Sequence, residues 1–448
     1  MSFSIDKQTI KDIDLFSENE KTPSLFGFYN RTETIGGQEQ LFKVIRTPFS
    51  DRPFLENRKN EIKYMLGLKH TLKLNRRQFD FVEYYLKNRH IPLKNNIIDA
   101  TRDSLANKLK ASNDYYVISE GILHLSGILN DFKKYLQNIN NTNPPPSLQE
   151  NFNSSLQFVN DESITKYTEN MPNDSRKIKS KHINLLDNLF RAKKANEVRT
   201  VLDTIYEIDV LQSHCKLIRE EQFSLPEYSS TDNPIFIAEE CIHPLLKDPV
   251  PNSFYLDRKK SLCFITGPNM SGKSTFLKTV GVLVYFAHLG IPVPAKKLQI
   301  PVFNGLFTTI NLSDSLSQGF SHFSTEVNRV KSISLEIKKN NNIAIILDEL
   351  FRGTNVKDAY DGTLLVVKSL SKIKDAFFFI STHILEVAEH ISKSNSIDFR
   401  CFESILQENK PVYDYKLKEG VTSERVGMQI IKNEKIEEIL NEIIKSQN

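Results

Sequence analysis

The chain has 448 residues, 39% of them hydrophobic and 25% charged, which is enough apolar material for two or three packed domains and excludes wholesale disorder. Its formal net charge of +4 is mildly basic, a balance that permits contact with nucleic acid without indicating it. Cys215, Cys241, Cys263 and Cys401 lie far apart with no C-x-x-C pair, which argues for reduced, packed thiols and against a disulfide frame or a zinc site. The N-terminus lacks the basic-then-apolar pattern of a signal peptide, and the most apolar window, 280–295, is broken by His288, Gly290, Pro292 and Pro294. A cytoplasmic protein with no membrane span is the expectation.

Taken in order, residues 1–230 are poor in glycine and rich in helical periodicity. Helices are expected over 55–68, 77–86, 104–110, 116–137 and 147–159. A longer one carries Val201, Ile205, Ile208, Leu211, Cys215 and Ile218 on one stripe. Arg199, Asp203, Glu207, Lys216 and Arg219 flank that stripe, which predicts a half-exposed helix or one packed against a single neighbour. The Asn- and Pro-rich stretch 138–147 reads as an exposed loop, and polar 161–177 as a second. From about Asn233 the texture changes. Short apolar runs at 235–238, 262–265, 343–347 and 377–380 alternate with helical segments, the pattern of parallel strands covered on both faces. The expected fold class is therefore α + α/β: an all-α domain over 1–230, then an α/β nucleotide-binding domain over 231–448.

The chemistry gathers in the second half. Gly267 to Ser274 fits G-x-x-x-x-G-K-[ST], a phosphate-binding loop, with an apolar strand before it and a helix start after it. Gly267 and Gly272 let the turn present backbone N–H groups to phosphate oxygens. Lys273 brings a point charge to the outer phosphates, and the Ser274 hydroxyl suits Mg²⁺. The run 343–347 ends in Asp348 and Glu349. An acid at a strand's C-terminal end can hold the same metal, a role for Asp348, and the next one can orient or deprotonate an attacking water, a role for Glu349. A further apolar strand ends in Thr382 and His383, where a polar group can touch a γ-phosphate. Ser321 reads by itself as an ordinary helix N-cap.

Together these stretches resemble the ATPase domain of the MutS family, a branch of the ABC-type ATPases. The resemblance rests on Thr266-Gly267-Pro268-Asn269-Met270-Ser271-Gly272-Lys273-Ser274-Thr275, with Ser271 where the family usually has glycine. It continues in Pro292-Val293-Pro294-Ala295, in Asp348-Glu349-Leu350-Phe351-Arg352-Gly353-Thr354-Asn355, in Thr382-His383 and in Ser321-x-Phe323-x-x-Glu326. His243-Pro244, Asn252, Tyr415-Lys416-Leu417 and Gly420 also match, whereas Arg425 and Val426 stand where a Ser-Tyr pair is usual. More weakly, Leu25-Phe26, Arg31 to Thr34, Gly36-Gly37, Pro48-Phe49 and Arg58 look like the start of the family's helical core, and the helix around 201–218 is similar to its lever.

The resemblance implies ATP bound by residues 267–275, Mg²⁺ held by Ser274 and Asp348, water positioned by Glu349, the γ-phosphate sensed by His383, and Ser321 reaching across from a partner chain. It implies a homodimer, or a heterodimer with another chain of the family, that couples ATP hydrolysis to DNA clamping in mismatch repair or recombination. Basic stretches at 52–58, 69–77 and 191–194 are candidates for DNA phosphates. The chain starts at the core, so mismatch reading by it alone is not expected. An ATPase acting on a protein partner is the alternative.

Overall fold

The computed structural model describes residues 3–17, 19, 22–88, 91–93, 113–139, 141–310, 322–392, 394–407, 410–422 and 435–447. The chain divides into two compact units: Met1–Phe28, Thr47–Glu56 and Ile218–Asn448 form one, Tyr29–Arg46 and Asn57–Leu217 the other. The expectation is a single boundary at residue 230. Two early segments belong to the sheet-bearing unit: the N-terminal strand finds its backbone partners there, and the Phe49 N–H donates to the His288 carbonyl at 2.8 Å.

In the sheet-bearing unit the strands are β1 (Ser4–Ile5), β2 (Glu227–Tyr228), β3 (Ile235–Cys241), β4 (Asn252–Asp257), β5 (Leu262–Thr266), β6 (Lys297–Ile300), β7 (Gly305–Thr309), β8 (Ile343–Asp348), β9 (Ala376–Thr382), β10 (Ile397–Cys401), β11 (Ser404–Gln407), β12 (Lys410–Tyr413) and β13 (Lys418–Glu419). Seven of them form one sheet in the order β1-β7-β8-β9-β5-β10-β13, parallel except for β13 at the edge. The central strands β5, β7 and β9 are buried at every position, which is why they read as unbroken apolar runs. The run at 235–238 behaves differently from expectation. It is β3 of a second, mixed sheet, β2-β6-β3-β4, paired antiparallel to both neighbours. Phe236 and Phe254 of that sheet meet Phe377 and Phe379 of β9 edge to face, with ring centres 5.2–6.1 Å apart.

The other unit is helical: Ile35–Ile45, Arg76–Leu86, Asn113–Ile139, Pro146–Val159, Glu162–Thr168, Ser180–Asn188 and most of Ala195–Glu221. The expected helix at 104–110 lies outside the described residues. The expected loop at 138–147 narrows because helices run through Ile139 and from Pro146. The expected loop at 161–177 contains the helix Glu162–Thr168, started by Asp161 accepting from the Ser163 N–H at 2.8 Å and held by buried Ile164 and Thr168. The helix Ala195–Glu221 is buried on more than one side, contrary to the half-exposed expectation. Arg199, Asp203 and Arg219 stay exposed as expected, but other polar residues of this helix are bonded within the fold. Asp209 accepts from the Glu33 N–H at 3.0 Å, the Thr34 N–H at 2.9 Å and the Thr34 hydroxyl at 2.7 Å, and Ser213 accepts from the Arg31 N–H at 3.0 Å. A partnered polar side chain is indistinguishable in sequence from a solvated one.

Candidate functional site

The site grows from the C-terminal ends of β5, β8 and β9. β5 leaves its wholly buried run at Thr266 and turns through Gly267 (φ 153°), Met270 (φ 68°) and Gly272 (φ 106°) into the helix Lys273–Ala287. A Cβ on Gly267 would lie 2.8 Å from the Phe402 carbonyl, so its backbone angle and its surroundings both call for glycine. Pro268, Asn269 and Met270 form the outer part of the turn, Met270 being 83% exposed. Ser271 is buried with its hydroxyl unpartnered among the described residues. Ser274 and Thr275 open the helix, whose N-terminus adds partial positive charge at the loop.

Lys273 is 4% exposed, and its ammonium donates to the Gly267 and Pro268 carbonyls at 2.8 and 3.0 Å. Its Nζ lies 3.6 Å from Glu349 Oε1. Glu349 follows β8 in a left-handed conformation (φ 47°), which a non-glycine residue keeps only where its surroundings impose it. Ser381 of β9 does so by accepting from the Glu349 N–H through both its carbonyl and its hydroxyl, each at 3.2 Å. The same hydroxyl donates to Asp348, which also takes a hydrogen bond from Ser274. Arg352 Nη1 donates to Glu349 Oε2 at 3.3 Å, and His383 Nδ1 lies 3.9 Å from Glu349 Oε1.

Burial pushes the Lys273 ammonium below its usual range, against the pull of Glu349 and Asp348. Burial likewise pushes the Asp348 carboxyl up, aided by Glu349 and opposed by the bonds from Ser274 and Ser381 and by Lys273. Both shifts say that charge is held here away from water, as is usual where titratable groups work. A cavity of about 640 Å³ opens beside these groups, lined among others by His243, Asn252, Ser274, Thr275, Arg352 and Tyr415. Its size suits a small organic ligand. Among the described residues no group of three or more His, Cys, Asp or Glu could hold a metal by itself. The Ser274 hydroxyl and the Asp348 carboxylate are hard oxygen donors in mutual hydrogen-bond contact. That set fits Mg²⁺ shared with substrate phosphates better than a metal caged by protein.

The expected residues 267–275, Asp348, Glu349 and His383 thus converge, while Ser321 lies outside the described residues. Three contributors had no role assigned from the sequence, although His243 and Asn252 were part of the resemblance. Ser381 preceded the Thr-His pair without a signal of its own. Asn252 bridges to the segment between β12 and β13, donating to the Tyr415 carbonyl at 3.0 Å and accepting from the Leu417 N–H at 2.7 Å. His243 lines the cavity 6% exposed with Nε2 unpartnered among the described residues, its pKa pushed down to about 4 by burial and by nearby Lys278.

The candidate DNA-contacting stretches fare unequally. Arg52 donates to the Ser229 and Tyr228 carbonyls at 3.0 and 2.8 Å, Arg191 is buried against Asp187, and Lys194 pairs with Asp161 at 2.6 Å. Lys69, Lys73, Arg76 and Arg77 are exposed. No described helix is long and apolar enough to cross a membrane.

Comparison with known proteins places residues 263–447 in the profile described as MutS domain V. Proteins named DNA mismatch repair protein MutS are similar to the chain: 31% identical over 245 residues in a Geobacillus species, 32% over 269 in Alkaliphilus metalliredigens and 33% over 244 in Aquifex pyrophilus. These matches cover 52%, 57% and 54% of this chain and 27%, 30% and 28% of the relatives, so the chain matches less than a third of their length.

Proposed function

We propose, from the match of residues 263–447 to MutS domain V, that this chain is a MutS-family protein that hydrolyses ATP at the site around Lys273 and couples the reaction to holding DNA in repair or recombination. The observation that carries the reading is the meeting of Lys273, Asp348 and Glu349 at the mouth of a glycine-bearing turn, beside a cavity of about 640 Å³. In this reading the backbone of 267–272 and the Lys273 ammonium bind and orient the phosphates, neutralising charge where it develops. Ser274 and Asp348 would hold Mg²⁺, which would supply positive charge to offset that of the phosphates. Glu349, fixed by Ser381 and Arg352, positions water and accepts its proton. His383 donates to the γ-phosphate. Ser321 serves the site of a partner copy, homodimeric or heterodimeric, so that ATP favours the closed pair. The helix Ala195–Glu221 acts as the lever that carries closure to the helical unit.

The exposed cations of 69–77 support DNA as the load. The spent cations at 52, 191 and 194 favour a second reading, an ATPase acting on a protein partner. A titration of homoduplex, mismatched and four-way-junction DNA, with and without ATP, separates them. Nucleotide-dependent affinity with a steep salt slope supports the first reading. Weak, flat binding together with nucleotide-dependent capture of a purified protein partner supports the second and removes the first.

A further inference from the structure

The N-terminal segment is not needed to complete any motif of the site, yet it is attached to three of the site's supports. It enters the large sheet as β1, parallel to β7, with Ser4 opposite Gly305 and the Ser4 N–H donating to the Asn304 carbonyl at 2.8 Å. Past β1, Thr9 accepts from the Thr308 N–H at 3.0 Å. Asp12, wholly buried, accepts from the Thr308 hydroxyl at 2.6 Å and from the Ile310 N–H at 2.9 Å, and its other oxygen takes the Gln8 amide at 2.8 Å. The end of β7 is therefore finished by a carboxylate from the start of the chain.

The second attachment is to the helix His322–Lys339. Arg329 pairs with Asp6 through two nitrogens, one at 3.3 Å, and donates to the Thr308 carbonyl from Nε at 3.2 Å. The third is to the helix that begins with Lys273. Asp14 pairs with Lys278 at 2.7 Å, and wholly buried Ile13 packs so closely that a Cβ on Gly281 would lie 2.9 Å from its Cγ2. Lys278 in turn acts on His243 of the cavity wall. A single stretch of about a dozen residues thus ties the phosphate-loop helix, the end of β7 and the helix that starts at His322.

We infer that residues 4–14 are a positioning brace for nucleotide turnover. They hold the phosphate-loop helix in register with Ile310 at the end of β7 and with Arg329 of the helix His322–Lys339. None of these residues touches a reacting atom; they act through the elements they hold. The inference rests on the ATPase reading above, because it concerns the rate of that reaction. Buried hydrogen-bonded carboxylates fix geometry tightly, and small displacements of catalytic supports lower rates more than they lower ground-state binding.

The test compares Asp12→Ala and Arg329→Lys with the parent chain in three measurements: thermal unfolding, binding of a fluorescent ATP analogue, and steady-state ATP hydrolysis per folded molecule. The brace predicts hydrolysis lowered ~10-fold or more in Asp12→Ala. Nucleotide affinity should stay within about twofold, so that kcat falls while binding holds. Arg329→Lys keeps the charge against Asp6 and gives up contacts with Thr308; it predicts a smaller fall of the same kind and stands in if Asp12→Ala does not fold. Parent-level turnover per folded molecule in both variants, with Glu349→Gln inactive, overturns the brace alone. Turnover persisting in Glu349→Gln overturns the ATPase reading on which it rests.

Discussion

Both units bury charged side chains with complete partners, as Asp12 shows in the sheet-bearing unit, but the charges beside the cavity are finished differently. In the helical unit Asp187 is closed on every side. It accepts from the Tyr85 hydroxyl at 2.9 Å, from the Leu93 N–H at 2.7 Å, and from Arg191 through two nitrogens at 2.6 and 2.8 Å. Asp209 is completed in the same way by Glu33 and Thr34. In the sheet-bearing unit Lys273 and Asp348 sit beside a cavity, their pKa values displaced in opposite directions by burial, with the Ser271 hydroxyl and His243 Nε2 nearby unpartnered among the described residues. Buried charge whose partners are complete serves architecture; buried charge facing open space serves a ligand. His214 departs from the pattern. It is buried in the helical unit with both ring nitrogens unpartnered among the described residues, and nothing in its surroundings explains it.

The comparison can be broken by exchanging the expected losses. Lys273→Met should lower ATP turnover by ~10³-fold, through loss of a positioned phosphate donor. The same change should leave the unfolding midpoint unchanged or higher, because burial already disfavours the ammonium. Asp187→Ala should do the reverse, destabilising the chain by about 4 kcal/mol through an uncompensated Arg191 while changing turnover per folded molecule little. Urea titrations and ATPase assays on the two variants decide it; equal loss of stability in both would erase the distinction.

A smaller effect sharpens it by pH. His288 is wholly buried between the Val284 carbonyl and the Phe303 N–H, and burial lowers its pKa from 6.5 to about 4. The unfolded chain then binds the proton more readily, so stability falls as pH drops from 6.5 towards 4. Relative to a His288→Gln variant, the parent chain should lose about 2 kcal/mol between pH 7 and pH 5. Parallel urea midpoints for the two chains across that range would contradict the assignment. The smallest effect concerns the exposed cations. Lys73→Glu with Arg77→Glu should flatten the log–log salt dependence of DNA binding by about 2 without altering nucleotide affinity. An unchanged slope would remove this face from the DNA reading.

Much of the site was legible because its chemistry is local. The turn, its lysine and serine, and the paired acids at the end of an apolar strand are each contiguous, and the strand-then-helix context is contiguous with them. Ser381 was not legible, because its role depends on the register that sets it opposite Asp348 across two parallel strands. The N-terminal attachments were hidden for the same reason on a larger scale, since Asp12 and Thr308 are separated by 296 positions. The helix Ala195–Glu221 looked half-exposed because polar residues bonded within the fold carry the same letters as polar residues facing water.

The central claim is that Glu349, held by Ser381 and Arg352 beside Lys273, works on water at a bound triphosphate. The most direct test mixes the Glu349→Gln variant with radiolabelled ATP and Mg²⁺ and follows both bound nucleotide and released phosphate through a single turnover. The account predicts ATP bound with near-parent affinity and recovered uncleaved. Phosphate released at the parent rate would contradict it.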